Sequence, residues 1–498
     1  MDSLVTLVIM LAPAVGAVLI LLTPEDRKFQ IRMTAALCTL ISLLLTIYAV
    51  ITYDKSVGGY QFDFNIVWIP AWGINFHVAM DGISLCMNLL TSFTIFTGVF
   101  VSWFIETRTK EFYFLLLTLV TGVFGVFSSL NIFFFYFCYE MAVIPMYLLI
   151  GYWGSGNKEY ATMKLTLYLT LGAVIALIGL LSLFYTNARI TGVYSYEISV
   201  WQQMTPNLNA GYQKLVFPVL LLGFGFIVPM WPFHTWSPGG HAAAPSAVSM
   251  LHAGVLMKLG AYAILRLGIN ILPAGAAFWL PVVAIVCVAN ILYGGFVAMA
   301  QKDMKFIIGY SSSSHMGYVL LGLSCLNVLG LNGAVFLMFA HGIMTALTFA
   351  LIGFFYDQTH TRMTYDLGGM SRQIPFIGVC FTMAAMASSG LPGFANFVSE
   401  LLIFFAAFQK YPVQAICAVF GIVVTATYLL RAVRAAFFGE MNPKWEKIHD
   451  ANTFVQRLPY VILIMVLLFF GFFPHILLNV INVGVGELLG RVNPFLQL

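Results

Sequence analysis

Charge is what this chain has least of. Only 8% of its 498 residues are Asp, Glu, Lys or Arg, whereas 61% are hydrophobic. Soluble domains carry about 25% charged residues, so a soluble globular fold is excluded. With a net charge of +4 and no basic stripe, the chain offers no nucleic-acid surface. Period-2 alternation is also missing, which removes a transmembrane β-barrel. The seven cysteines (38, 86, 138, 287, 325, 380, 417) stand singly in apolar runs, with no CxxC. Iron–sulfur clusters and structural zinc draw their ligands from short fixed intervals, so that spacing argues against both.

Long apolar runs take up the space instead. A helical span needs about 20 apolar residues. Such runs lie near 3–22, 31–52, 82–105, 112–129, 131–152, 160–186, 243–268, 277–300, 304–324, 330–355, 412–437 and 458–481, with interrupted ones at 214–241 and 376–409. The fold class is all-α, a polytopic membrane protein of about 14 transmembrane helices. No basic n-region or small-residue cleavage site opens the chain, so Leu4 to Leu22 reads as a retained first span. Setting the N-terminus outside puts Arg27, Lys28, Arg32, Arg108, Lys110, Lys158, Lys302, Lys305, Arg362, Arg372, Arg431, Arg434, Lys444, Lys447 and Arg457 on the cytoplasmic side. Only Lys55, Arg189, Lys214, Arg266, Lys410 and Arg491 then face out. The positive-inside rule supports this orientation, with both termini periplasmic. The loop 53–80, with Tyr60, Trp68 and Trp72, reads as an outward hairpin at the interface, and 440–450 as a cytoplasmic loop. His77, His360, His449 and His475 read as solvated groups in loops or at span edges.

Ionisable residues inside the spans are the exception to this apolar pattern. Glu140 sits within NIFFFYFCYEMAVIPMYLLIGYW, and Lys164, Lys258, His315, His341 and Glu400 occupy comparable runs. An acidic or basic group at a span centre costs roughly 2.5–3.5 kcal/mol to insert, so a set of them suggests a proton path. Burial disfavours the charged form and a nearby opposite charge restores it, so alternating acids, lysines and histidines can switch protonation as neighbours move. Histidine suits the bridging positions because its pKa lies near neutral. Structural readings stand beside this one: an interhelical pair for Glu140 and Lys258, a helix cap for Glu400, fixed interhelical hydrogen bonds for the histidines. His234, His241 and His252 are accessory candidates. A haem fits poorly, because the membrane histidines lie on different segments with no haem motif.

Two spans are interrupted. PMWPFHTWSPGGH places Pro229, Pro232 and Pro238 with Gly239 and Gly240 in the seventh, and SSGLPGFANFVSE places Gly390, Pro392 and Gly393 in the twelfth. Broken backbone inside a bilayer is tolerated only where it is buried or lines a wet cavity. Spans four to eight and nine to thirteen then form two five-helix units, each broken in its fourth helix. An odd number of spans inverts the second unit, as in inverted-repeat transporters, with the breaks marking the ion path. The chain divides into helices 1–3 (1–111), a first half-channel of helices 4–8 (112–268), a second of helices 9–13 (277–437), and a cytoplasmic loop with helix 14 (438–498).

Four ordered motifs make a family comparison possible. PFHTWSPGGHAAAPSAVSMLHAGVLMKLGAYAILR, QKDMKFIIGYSSSSHMGYV, AHGIMTALTFALIG and GLPGFANFVSELLIFF, within about Met80 to Phe438, resemble the antiporter-like proton-pumping subunits of complex I, the NADH:quinone oxidoreductase, and most of all their M branch. The resemblance implies a membrane-arm subunit of a redox-driven pump in a bacterial inner membrane, with L-like and N-like antiporter subunits as neighbours. It implies no cofactor in this chain, with NADH, FMN, iron–sulfur clusters and quinone held by partner subunits. By the same resemblance Glu140 matches the essential acid of span five and Lys258 the central lysine of span eight. Glu400 matches the acid that replaces a lysine in span twelve of the M branch. His315 and His341 match the family's motif histidines, Lys164 a basic residue of span six, and His241 the histidine ending span seven.

One departure concerns span seven. Where the family has a lysine two residues before the proline, this chain has Ile227, and a PDAH-like segment has become PGGH. Lys164, His252 or both are then expected to replace the lysine as charge partner of Glu140. The homologous subunits of multisubunit Na+/H+ antiporters and of membrane-bound hydrogenases share the core. A structural subunit that no longer pumps is a further reading, resting on Ile227.

Overall fold

Apolar runs become helices where polar residues can start them. The computed structural model describes residues 2–496. After α1 (Val5–Leu22) and α2 (Lys28–Thr52) comes an antiparallel hairpin of β1 (Gln61–Ile69) and β2 (Ile74–Met80). Then follow α3 (Gly82–Val101), α4 (Thr109–Ser128), α5 (Ile132–Trp153), α6 (Lys158–Thr191), α7 (Ile198–Met204) and α8 (Ala210–Ile227). The middle comprises α9 (Trp236–Ala243), α10 (Ser246–Leu251), α11 (Met257–Ala263), α12 (Pro273–Ala300), α13 (Met304–Ser324) and α14 (Val328–Thr359). Last come α15 (Pro375–Ser388), α16 (Ala395–Lys410), α17 (Pro412–Phe437), α18 (Phe454–Phe472) and α19 (His475–Leu496). Asp81, Asn131, Asn209, Asp303 and Asn327 cap α3, α5, α8, α13 and α14 through side-chain oxygens, and Thr453 with Gln456 forms a capping box on α18. Each satisfies amide donors that the helix start leaves free.

The architecture agrees with a bundle of about fourteen spans and departs from the sequence reading at the C-terminal end. The run 458–481 is not one helix: α18 stops at Phe472, and Pro474, which has no N–H to donate, separates it from α19. The residue before a proline is pushed out of the helical region, as Phe473 is, with φ −121° and ψ 55°. α19 contacts the start of α14 through Asn482 and Asn332, the start of α3 through Gly484 and Asp81, and the 58–59 loop through Glu487. These partners all lie at one end of the bundle, so α19 runs across the span ends.

The segment 246–269 and α14 are enclosed by the rest of the chain, whereas only 39% of the apolar stretch is buried in each of α17 and α18. The most shielded part of the bundle is therefore the pair of segments that carry Lys258 and His341. Two π-helical turns, His252–Leu256 and Ile264–Ile269, interrupt the first of them on either side of α11. Such turns shift the face on which later residues emerge and occur often at functional sites.

The first break falls differently from the expectation. Pro238, Gly239 and Gly240 lie inside α9, and the chain is irregular at 228–235 and again at Ala244–Pro245. Pro238 is the third residue of α9, within the first turn where a helix needs no amide donor. Asn290 of α12 mends the first gap: its side chain accepts from the Trp231 amide and donates to Pro229 O at 3.2 Å and Ser313 O at 2.8 Å. At the second gap Arg362 donates to Ala242 O at 2.6 Å, the Ser155 amide to Ala243 O at 2.8 Å, and Lys305 Nζ to Ala244 O at 2.7 Å. Two cations thus sit on the carbonyl end of α9, where the helix dipole favours them.

The outward hairpin is present, with Trp68 and Trp72 exposed. His77 on β2 is not simply solvated. Its Nδ1 lies 2.8 Å from Glu197 and its Nε2 2.9 Å from Asp63. Burial alone would lower the His77 pKa, but bonding to Glu197 and Asp63 outweighs it and holds the group at about 9. A raised folded-state pKa stabilises fully below the ordinary value of about 6.5 and is lost as pH rises through about 9. Hydrogen exchange of the β1–β2 amides is expected to outpace its intrinsic acceleration above about pH 8, and His77→Gln should reproduce this at pH 7. Unchanged protection in that variant would count against the clamp.

Candidate functional site

Four of the singled-out residues come together as one buried row. Lys258 on α11 places Nζ 2.9 Å from His341 Nδ1 on α14, and also donates to Ala253 O. At that distance the two nitrogens share a single proton, because two protonated groups would have no acceptor between them. The other ring nitrogen of His341 meets Ser312 Oγ at 3.4 Å. His315 on α13 stacks against His341, ring centroids 4.9 Å apart, and carries the row onward. Its Nδ1 faces Ser311 O at 2.8 Å and its Nε2 faces Ser388 O at 3.2 Å. Both ring nitrogens meet carbonyl acceptors, so the site suits an imidazolium with two N–H donors. Glu400 Oε1 lies 3.7 Å from His315 Nε2.

Glu400 does not cap α16. It is the sixth residue of a helix that starts at Ala395, and its buried carboxylate oxygens have no hydrogen-bond partner among the described residues. Gly390, in the second break, explains how the carboxylate fits. It holds φ +69°, and a Cβ there would stand 2.7 Å from Glu400 Oε2. Gly390→Ala is expected to cost about 1–2 kcal/mol for the left-handed backbone and to push the Glu400 carboxylate from His315. Thermal unfolding and proton translocation of the variant check this; a wild-type result in both would show that the close approach is unimportant.

A second group lies beside the row. His241 on α9 bonds Ser237 Oγ at 3.0 Å through Nε2, and its ring centroid is 4.0 Å from that of His252, which stacks on Trp236. Ser237 Oγ also reaches Met257 Sδ at 3.4 Å, next to Lys258. Ser237 thereby joins the His241–His252 pair to the residue that precedes Lys258. His241 Nδ1 and both ring nitrogens of His252 and His234 are buried without a protein partner. Groups of this kind in a polar site are commonly satisfied by internal water.

Glu140, Lys164 and His234 stand apart. Glu140 is half-buried on α5 beside Tyr136, with the neighbouring Phe137 and Ile144 exposed. Among the described residues no basic side chain lies within 4.0 Å of it, so the expected partnership with Lys164 or His252 does not form here. Lys164 instead sits over Tyr160 and Tyr168 and lines a cavity of about 310 Å³ with Thr235 and Arg362. His234 packs against Tyr293 and Tyr310. Ile227 is buried in packing, its Cβ near Gly260 of α11.

Several polar residues of the site were not singled out from the sequence. Ser311, Ser312 and Ser388 carry no charge to mark them, and Asn396, buried one turn before Glu400 with both amide atoms unpartnered, is a neutral polar residue near a break. Arg266 is buried and bonded to Asp81 and, at 3.2 Å, to Ser84 Oγ. Its signal was the cost of leaving a guanidinium unpaired in a span. No group of three or more His, Cys, Asp or Glu among the described residues could hold a metal ion.

Bundle, paired breaks and buried row define a multi-pass membrane subunit of the antiporter-like class. Residues 129–425 match the family described as NADH:quinone oxidoreductase/Mrp antiporter, TM, and the chain belongs to that family. It is 33% identical over 466 residues to "NADH-quinone oxidoreductase subunit M" of Rickettsia conorii, covering 93% of each chain. It is 34% identical to "F(420)H(2) dehydrogenase subunit M" of Methanosarcina mazei, covering 89% of each. A chain of respiratory complex I from Thermus thermophilus superposes with TM-score 0.87 at 26% identity, over 98% of this chain and 100% of that one. A chain of the Mrp complex from Dietzia shares the fold, with TM-score 0.85 at 20% identity and 99% of each chain covered.

Proposed function

We propose that this chain is the proton-translocating membrane-arm subunit of an NADH:quinone oxidoreductase, coupling quinone reduction in partner subunits to proton movement along its buried row. The observation that carries this reading is the continuous contact from Lys258 through His341 and His315 to Glu400, ending against the second break. A proton reaching Lys258 from the His241–His252 side displaces the shared proton onto His341. His341 releases it from Nε2 by way of the Ser312 hydroxyl and internal water, His315 takes it up and is held as an imidazolium by its carbonyl acceptors, and Glu400 receives it. Unit charges at about 4 Å interact by about 1 kcal/mol in water and about 4 at an effective dielectric of 20. Small changes in these distances therefore suffice to drive the transfers.

The units 112–268 and 277–437 act as inverted half-channels, with the breaks in α8/α9 and α15/α16 at their centres. Glu140 lies on a face of α5 that this chain leaves uncovered, where an L-like or N-like subunit would sit, and exchanges protons across that contact. Lys164 and His234 serve the cytoplasmic approach. NADH, FMN, iron–sulfur clusters and quinone belong to partner subunits, and the chain lies in a bacterial inner membrane with both termini periplasmic. The identity to the Methanosarcina F(420)H(2) dehydrogenase subunit supports a second reading, the same pump driven by another donor. A Na+/H+ antiporter subunit is less well supported, because the Mrp likeness is at 20% identity.

The test is to extract the chain from its native membrane in mild detergent, identify co-purifying subunits by mass spectrometry, and assay quinone reduction with NADH and with reduced F420. Flavin and iron–sulfur subunits with NADH:quinone activity are expected. Small membrane subunits alone, without redox activity, would move the reading to an antiporter.

A further inference from the structure

At the basic-rich end of the bundle two cavities of about 340 and 460 Å³ meet at shared walls: Val101, Phe104, Ser246 and Asp357. The larger one reaches inward to Ala244, Pro245 and Lys305, the second gap of the first break. Titratable groups face this space from every side: His449, Asp450 and Tyr460 in the smaller cavity, Glu106, Lys305 and Tyr356 in the larger, with His360 three residues beyond Asp357.

The three carboxylates differ in what holds them. Glu106 bonds Lys28 at 2.5 Å and Arg32 at 2.6 Å, contacts that keep it ionised down to about 2. Asp450 accepts from the Phe376 amide at 2.7 Å and the Ala451 amide at 2.8 Å. Asp357 is exposed to the cavities and makes no ion pair or hydrogen bond among the described residues. Only this carboxylate is free to take up and release a proton without breaking a contact. Deeper in, Lys305 is buried, with Ala244 O as the acceptor for its Nζ. Ser249 Oγ donates to the same carbonyl at 3.1 Å and to His241 O at 2.9 Å, so one hydroxyl bridges the Lys305 acceptor and the His241 backbone.

We infer that this vestibule loads protons into the row, with Asp357 collecting them from the cytoplasm and Lys305 carrying them to His241. The inference rests on the proton-path reading above. Each step moves one proton, from the Asp357 carboxylic acid to the Lys305 amine and from the resulting ammonium to a His241 ring nitrogen, with no redox change. A lysine bonded to a neutral carbonyl can alternate between ammonium and amine, which arginine cannot do.

The test measures proton translocation by the intact complex in proteoliposomes between about pH 6 and 9, with a pH-sensitive dye. Asp357→Asn is expected to lower the rate by about tenfold at the alkaline end, where protons are scarce, and less at the acid end, with Asp357→Glu restoring it. Lys305→Arg keeps a cation on Ala244 O yet should show a similar loss, whereas a lysine that merely caps α9 would be replaced without effect. Lys258→Met, run in parallel, separates the two levels. Loss in Lys258→Met with wild-type profiles in Asp357→Asn and Lys305→Arg overturns the vestibule alone. Full translocation in Lys258→Met overturns the path on which it rests.

Discussion

Lys258→Met is expected to lower proton translocation by about a hundredfold or more, the low end of what a positioned proton-transfer group contributes. Methionine has a similar length and no charge, so it fits the buried site without a cavity, although His341 Nδ1 loses its partner. What disappears is the nitrogen 2.9 Å from His341, the link between the His241–His252 group and the rest of the row. Lys258→Arg is the informative companion. Arginine retains the positive charge but does not release its proton, so it should fail nearly as badly if Lys258 carries protons. Recovery in the arginine variant would mean that Lys258 only supplies a fixed charge. Assembly is followed by co-purification, so that loss of transport is read on intact complex.

Glu400→Gln is expected to have the second largest effect, a loss of about tenfold or more. The amide matches the carboxylate in shape but cannot take the His315 proton. Glu400→Asp keeps the chemistry and shortens the reach across the 3.7 Å contact, so an intermediate rate is expected. If Glu400 were structural, the neutral glutamine would be tolerated better than the shorter aspartate. The order of the two variants therefore decides between the roles, measured as translocation rate by dye quenching in proteoliposomes.

The bundle could be read from the sequence because a bilayer admits few solutions: apolar runs of sufficient length must be helices, and clustered Pro and Gly inside them mark breaks, whereas single prolines such as Pro145 and Pro281 are carried within continuous helices. The 458–481 run misled because Pro474 lies within the apolar string FFGFFPHILL, where His475 is the one polar residue at the bend. Lys258, His315, His341 and Glu400 were recognisable as buried ionisable groups, and the structure brings all four into one row. Glu140 looked equivalent in sequence. Which face of α5 the chain covers is decided by packing, and α5 leaves Glu140 half-buried on its own. Arg362 and Lys305 read as ordinary cytoplasmic charges of the positive-inside pattern, whereas their contacts with Ala242 and Ala244 depend on where α9 ends. Partners distant in sequence, such as Asp63 and Glu197 around His77, leave no local trace at all.

The central claim, that Lys258 and Glu400 belong to one proton path, is tested most directly by a double-variant comparison. Translocation is measured for Lys258→Met, Glu400→Gln and the pair, in the same proteoliposomes at the same rate of quinone reduction. Steps in a single path are not additive once the path is cut. The double variant is therefore predicted to transport no more slowly than Lys258→Met alone. Losses that multiply, or single variants that both pump at the wild-type rate, would contradict a continuous row.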